Sequence, residues 1–350
     1  MIRSLCRGRN VGFATPRLSL VRPNRLEFSR SASYQRFNNR QSKSFVQLLV
    51  DPASRKYLAF VFGGGSIFYL THLEEAPVSG RNRFIWLPRY LELKIGSYSY
   101  NSMLSQTRGS MLPSNSSLTV KVSTIFEKIV EAARKDPSID RELLDGVNWQ
   151  VHIVNDPKAP PNAFVLPGGK VFVFSSILGI CKNDDGLATV LSHEFAHQLA
   201  RHTAENLSKA PIYSILGAVL YTVTGADVFN RLILDSFLKM PASRQMETEA
   251  DHIGLMIMSR ACFKPQEAVE LWKRMAEFEK QLKGRGSFSP EFLSTHPASD
   301  RRIENMQLWM PQAQELYSQS DCGAMSSYYD SFQGMISGRL TTEGPNSLWG

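Results

Sequence analysis

The chain predicts a mainly helical α+β domain with a small β-sheet beside one motif helix, behind an N-terminal membrane anchor. Three observations carry this. An H-E-x-x-H run, His193-Glu194-Phe195-Ala196-His197, lies within an amphipathic stretch from Asp184 to His202. Short apolar, β-favouring runs precede it between Trp149 and Phe174. An uncharged stretch, Tyr57 to Leu73, sits near the N-terminus. The remaining length, about 250 residues, is ample for one buried core.

The spacing of the motif explains its residue types. Positions i and i+4 of an α-helix lie one above the other, so His193 and His197 can reach a single metal ion. Glu194 is then close to that ion without occupying a coordination position, the layout of a metal hydrolase with a carboxylate base. Asp184 and Asp185 are helix-start residues, and Leu187, Val190, Leu191 and Leu199 recur on the side to be buried. The alternative is a pair of surface histidines.

Three protein ligands are needed to leave a fourth position open. Downstream, Glu247 and Asp251 are four residues apart in Ser243 to Asp251, ahead of the apolar run Ile253 to Met258. On one helix face Glu247 can ligate, while Asp251 can accept the second ring N–H of a ligating histidine and fix its tautomer. Glu249 is about 200° around the helix from Glu247 and reads as solvated surface.

The preceding segment reads as β structure. Trp149 to Val154, Ala163 to Leu166 and Val171 to Phe174 favour strands, and Pro167-Gly168-Gly169 is a turn signal. A hairpin bordering the cleft offers an edge to which an extended peptide can add as a strand. Asn162, Ala163 and Phe164 are the candidate substrate-binding residues there.

These motifs, in this order, resemble those of membrane zinc endopeptidases of the HtpX and CAAX-prenyl-protease type: Asn162-Ala163-Phe164, Pro167-Gly168-Gly169, His193 to His197, Glu247 with Ala250-Asp251, and Thr295-His296-Pro297. The likeness runs from about residue 57 to about residue 320. It implies a gluzincin-like domain with one Zn²⁺ per chain held by His193, His197 and Glu247, not Glu249. It also implies that His296 lies in the active site. There a neutral donor can stabilise the charge that develops on the carbonyl oxygen of a cleaved peptide bond. His296 precedes Pro297, which biases it to extended backbone, ahead of a helix expected from about Ala298 to Met306. Arg301 or Arg302 would support the site or lie on the helix surface. The activity implied is an endopeptidase acting on inner-membrane proteins in quality control and stress response, with homo-oligomers among the relatives. The alternative is a non-catalytic quality-control scaffold.

Residues 1–43 carry nine arginines and Lys43 against one acid, Glu27, a net charge of +9 beside +8 for the whole chain. The remainder is about −1, so the basic character belongs to the leader and no nucleic-acid partner is expected. Arg-rich, Ser-rich and acid-poor composition is that of a mitochondrial transit peptide. A linker, 44–56, precedes the expected transmembrane helix, 57–73. At ~1.5 Å per residue that helix is about 25 Å long, slightly short of the ~30 Å hydrocarbon core. Arg55 and Lys56 at its start favour the matrix side, so the catalytic domain would face the intermembrane space. A juxtamembrane linker is expected over 74–115, the peptidase domain over 116–325 and a tail over 326–350.

Further helices are expected at Leu118–Arg134 and Gln266–Lys283. A second apolar stretch, Ile212 to Val223, reads as a helix dipping into the lipid surface or as a core helix. Of the four cysteines, Cys6 belongs to the leader and Cys181 reads as a buried free thiol. Cys262 and Cys322 are the pair available for a disulfide clamping the C-terminal region to the Glu247 helix.

Overall fold

The computed structural model describes residues 51–76, 79–156, 158–225, 240–284, 292, 295–297, 299–320 and 322. The transit peptide, 1–43, and the tail, 326–350, lie outside the described residues. The chain divides into two units, Met1–Val61 and Phe62–Gly350, and the second carries the peptidase elements.

The motif helix α5, Asp184–Leu199, is the hub. Its cap is Asn183, whose side chain accepts from the Gly186 N–H at 2.7 Å. Asp184 and Asp185 stand in the first turn, where acids favour the positive helix end. The expected amphipathic stretch to His202 is interrupted: Arg201 adopts φ 49°, and a new helix, α6, runs His202–Thr224. Besides the expected Leu187, Val190, Leu191 and Leu199, most of α5 is buried, so it is a central helix covered on all sides.

Around it pack α3 (Ser117–Arg134), the short α4 (Leu178–Cys181), α7 (Met240–Arg260), α8 (Gln266–Gly284) and α9 (Asp300–Gln319). Helix α3 starts at Ser116, whose hydroxyl accepts from the Thr119 N–H at 3.1 Å, and buries Ile125, Ile129 and Val130. Phe126, Trp149 and Phe195 form a three-way aromatic contact with centroids 5.3–5.6 Å apart, each pair worth ~0.5–1.5 kcal/mol beyond area burial.

The sheet has the order β3-β5-β4, with β3 Gln150–Val154, β4 Ala163–Leu166 and β5 Lys170–Phe174. Strands β4 and β5 form the expected antiparallel hairpin, and β3 pairs parallel with β5. The turn requires its glycines: Gly168 and Gly169 have φ 94° and 83°. Strands β3 and β4 are the two edges, and β4 lies against α5.

Three expectations for the N-terminal half need correction. The apolar stretch is helical, as α1 Pro52–Thr71, but Leu73 already belongs to a strand. Among the described residues no helix is long and apolar enough to cross a membrane; Gly63-Gly64-Gly65 and Arg55-Lys56 dilute its hydropathy. Of the expected linker 44–56, residues 52–56 lie within α1, Asp51 precedes it, and 44–50 lie outside the described residues. The segment 74–115 is not a linker. It forms a hairpin, β1 Leu73–Glu75 with β2 Asn82–Phe84, and α2, Arg89–Gln106. Helix α2 lies so near the β4–β5 turn that a Cβ at Gly96 would sit 2.0 Å from the Pro167 carbonyl oxygen. The Trp86 indole donates to the Ser208 carbonyl at 2.9 Å. Helix α6 leaves Ile212, Ile215 and Tyr221 exposed, so that stretch is not a core helix.

Cys262 and Cys322 are joined as a disulfide, with Cα atoms 5.2 Å apart, and Cys181 is buried and free. Burial pushes the Cys181 thiol up to about 12. In the folded full chain without reductant, iodoacetamide should therefore leave Cys181, Cys262 and Cys322 unlabelled by mass measurement. Unfolding should release Cys181 alone, and reduction the other two. Early labelling of Cys262 or Cys322 would show them unpaired. Packing of α5 on α7 yields a second expectation. A Cβ at Gly254 would lie 3.0–3.1 Å from His193 backbone atoms, so Gly254→Val should cost ~1–3 kcal/mol in urea unfolding. An unchanged midpoint would show that the two helices do not approach this closely.

Candidate active site

Helix geometry brings His193 and His197 onto one face of α5, and α7 crosses there with Glu247. The Nε2 atoms of the two histidines are 3.1 Å apart. Each lies 3.3 Å from a Glu247 carboxylate oxygen. Ligands ~2.0–2.1 Å from a tetrahedral ion are roughly 3.3 Å from one another, so the spacing is that of three atoms sharing one ion. His296 brings Nδ1 into the same group, 2.9 and 3.0 Å from the Glu247 oxygens and 3.3 Å from His193 Nε2. Ligand atoms of all four residues fall within 4.8 Å of one another. His296 thus stands among the donors rather than merely beside them, while its Nε2 faces Glu194 Oε1 at 3.5 Å. Its N–H donates to the Phe292 carbonyl at 2.7 Å, which holds the ring over the site.

The donors are oriented from behind. His193 Nδ1 lies 3.0 Å from Asp251 Oδ1, leaving Nε2 for the ion, and the ring meets Trp272 edge-on at 5.5 Å. Asp251 in turn accepts a two-pronged contact from Arg302, Nε and Nη2 each at 2.7 Å. Arg302 also reaches Glu247 at 3.2 Å and lies over the Trp272 ring at 3.5 Å. Of the two arginines suggested, Arg302 is buried and Arg301 is exposed. The choice follows from where α9 meets α7, which no local pattern shows.

The charges suit a divalent cation. Glu194, Glu247 and Asp251 are all buried; fully ionised they carry −3, and Arg302 returns +1. Burial alone would raise the Glu247 carboxyl, but hydrogen bonds from His193, His197 and His296 outweigh it and hold the group well below the usual carboxylate range. Burial opposes charge on His193 too, yet Asp251 and Glu247 raise it to about 9. His197, where burial dominates, is held well below the ordinary imidazole value. Burial pushes the Glu194 carboxyl up, as befits a group that must take and return a proton. Among the described residues its buried Oε1 accepts no hydrogen bond, His296 Nε2 standing 3.5 Å away, so it is an acceptor for a reacting molecule. Two nitrogens, a carboxylate oxygen and this uncommitted acceptor fit a catalytic metal site, and the mixed N/O set is one that zinc takes.

Of the substrate-binding candidates, Ala163 and Phe164 lie on β4 and Asn162 just before it, outside the donor group. Ala163 is paired with Val173 and Phe164 with Phe172 in the β4–β5 ladder, and the Asn162 carbonyl accepts from the Phe174 N–H at 2.9 Å. The disulfide lies at the far end of α7, away from Glu247 in sequence by fifteen residues and outside the donor group. Glu249 corrects the sequence reading. It is buried rather than solvated and bonds to His202 and Arg81, because α6 and the β1–β2 turn cover that side of α7. Neither partner carried a local signal.

The model of peptidase family M48 matches residues 122–310. The chain is 62% identical over 347 residues to the mitochondrial metalloendopeptidase OMA1 of Saccharomyces cerevisiae, covering 96% of this chain and 100% of that protein. It is 39% identical over 293 residues to the protein of that name from Schizosaccharomyces pombe, covering 82% of each. More distantly, it is 30% identical over 161 residues to the beta-barrel assembly-enhancing protease of Escherichia coli, covering 41% of this chain and 31% of that one.

The Arg302–Asp251 contact sets the stability of this region. Arg302→Met strands Asp251 beside the other acids and should cost ~3–5 kcal/mol in urea unfolding of the metal-free chain. Combining it with Asp251→Asn should cost less than the two single changes summed. Strict additivity would show that the two groups do not interact.

Proposed function

The chain belongs to peptidase family M48, and from that membership and the site's geometry we propose a zinc-dependent endopeptidase of the mitochondrial inner membrane. The observation that carries this is the convergence of His193, His197 and Glu247 on one point with a buried Glu194 oxygen that accepts no hydrogen bond among the described residues. Bound zinc would polarise the scissile carbonyl and acidify a water. Glu194 takes the water's proton and returns it to the leaving amine, a role its raised affinity for protons suits. His296, whose Nε2 faces the space beside Glu194, donates to the oxygen on which charge develops. Asp251, held by Arg302, keeps His193 in the tautomer that exposes Nε2.

Substrates on this reading are inner-membrane proteins handled in quality control and stress response. An extended segment adds to the β4 edge, with Asn162, Ala163 and Phe164 lining it, and backbone pairing makes recognition tolerant of sequence. Membrane attachment is supported by the exposed Tyr57, Phe60, Phe62, Ile67 and Leu70 of α1 and Ile212, Ile215 and Tyr221 of α6. Placement of the domain in the intermembrane space is supported by the Cys262–Cys322 disulfide, since disulfides persist in oxidising compartments. The names of the yeast relatives support the mitochondrial address.

Glu194→Gln should retain one zinc per chain and lose ~10²–10⁴-fold in cleavage of an unfolded inner-membrane polypeptide. Metal content and cleavage measured together on the detergent-purified full chain decide it: full turnover by the variant would remove Glu194 as the base. Absence of zinc from the wild type would overturn the ligand assignment.

A further inference from the structure

His197 presents Nε2 to the metal position, and its other ring nitrogen is committed to a residue the mechanism does not use. Nδ1 of His197 lies 2.7 Å from Nδ1 of His202, close enough to require one proton between them. His202 Nε2 lies 3.1 Å from Glu249 Oε2. Glu249 also receives Arg81 through Nε at 3.0 Å and Nη2 at 2.8 Å, and the Ser79 hydroxyl donates to its other oxygen. The far side of Arg81 forks onto Glu205 at 2.9 and 2.6 Å, and Lys209 joins Glu205 at 2.5 Å. His202, Glu205 and Glu249 are buried, at 3, 0 and 5% exposure, so solvent does not supply these contacts.

Hydrogen-bond chemistry gives this array a direction. A carboxylate paired with arginine only accepts, so His202 must donate to Glu249 from Nε2. Nδ1 of the neutral His202 ring is then an acceptor, and the proton in the 2.7 Å contact belongs to His197. His197 with Nδ1 protonated has its lone pair on Nε2, the atom 3.3 Å from Glu247. We infer that His202, Glu249 and Arg81 are positioning residues that fix the metal-binding tautomer and orientation of His197, and that the β1–β2 turn is thereby part of the metal site's support. The inference rests on the metallopeptidase reading and extends it to a segment far from the ligands in sequence. The left-handed Arg201 between α5 and α6 folds His202 back beside His197, five positions after it.

Zinc affinity of the full-length protein, by competition with a chelating dye, tests this. Cobalt-substituted spectra report ligand geometry, and unfolding of the metal-free forms reports the fold. His202→Phe should weaken zinc binding ~10–100-fold, and His202→Asn, whose side-chain oxygen can accept from His197, should recover part of the loss. Glu249→Gln, isosteric and able to accept from His202, should weaken zinc by less and shift the cobalt spectrum. Wild-type affinity in His202→Phe, or a loss matched by its lowered fold stability with no rescue by His202→Asn, would overturn the inference. Should His202→Phe not fold, an unshifted cobalt spectrum and unchanged affinity in Glu249→Gln would overturn it equally. A wild type that binds no zinc would instead overturn the metallopeptidase reading itself.

Discussion

For a metal ion to be held here, three side-chain atoms from two helices must meet within about 3.3 Å of one another, and that requirement governs the packing around it. Two of the atoms come cheaply, because i and i+4 on α5 already share a face. The third must arrive from α7, and the crossing is close enough that the residue facing the His193 backbone is Gly254. The same crossing buries α5 on all sides, which is why the motif helix lies in the middle of the core rather than on its rim.

Closeness creates an electrostatic problem, because the ligands and the base concentrate carboxylates where water is scarce. Helix α7 contributes acids on both of its sides. Glu247 and Asp251 face α5 and are held by Arg302 from α9. Glu249, on the other side, is held by Arg81 from the β1–β2 turn. Each arginine is thus the distant end of a line that reaches one of the two histidines of the motif. The first runs through Asp251 to His193, the second through Glu249 and His202 to His197. On the proposed reading, one helix supplies a ligand and the support for both of the others.

The N-terminal hairpin therefore belongs to the domain that follows it. Phe68 and Tyr69, near the end of α1, meet Phe84 at 6.1 and 4.9 Å, and Trp86 is tied to Ser208 on α6. The Arg83 guanidinium donates to the Ala200 carbonyl at the end of α5. The end of the apolar helix is consequently held near the break between α5 and α6, through which His202 is placed.

What the sequence determined alone was the chemistry that obeys local periodicity. The pairing of His193 with His197, the placing of Glu194, the common face of Glu247 and Asp251 and the turn at Pro167 to Gly169 all follow from helix and strand repeats. So do α3 and α8, while the family likeness rests on the ordered motifs themselves. What only the tertiary structure decided lies between elements. Arg302 was separated from Arg301 by burial against Asp251, and Glu249 passed from apparent surface to the second histidine's support. The 74–115 segment became folded structure although α2 buries little more than Glu92 and Gly96, too few positions to form an apolar stripe. The apolar stretch ended at Thr71 in favour of a strand pair whose partner begins at Asn82. For Arg302, Glu249 and α2 the deciding interaction joins residues 51, 168 and 71 positions apart, and a buried charge or a backbone approach at that distance leaves no periodic mark in the chain.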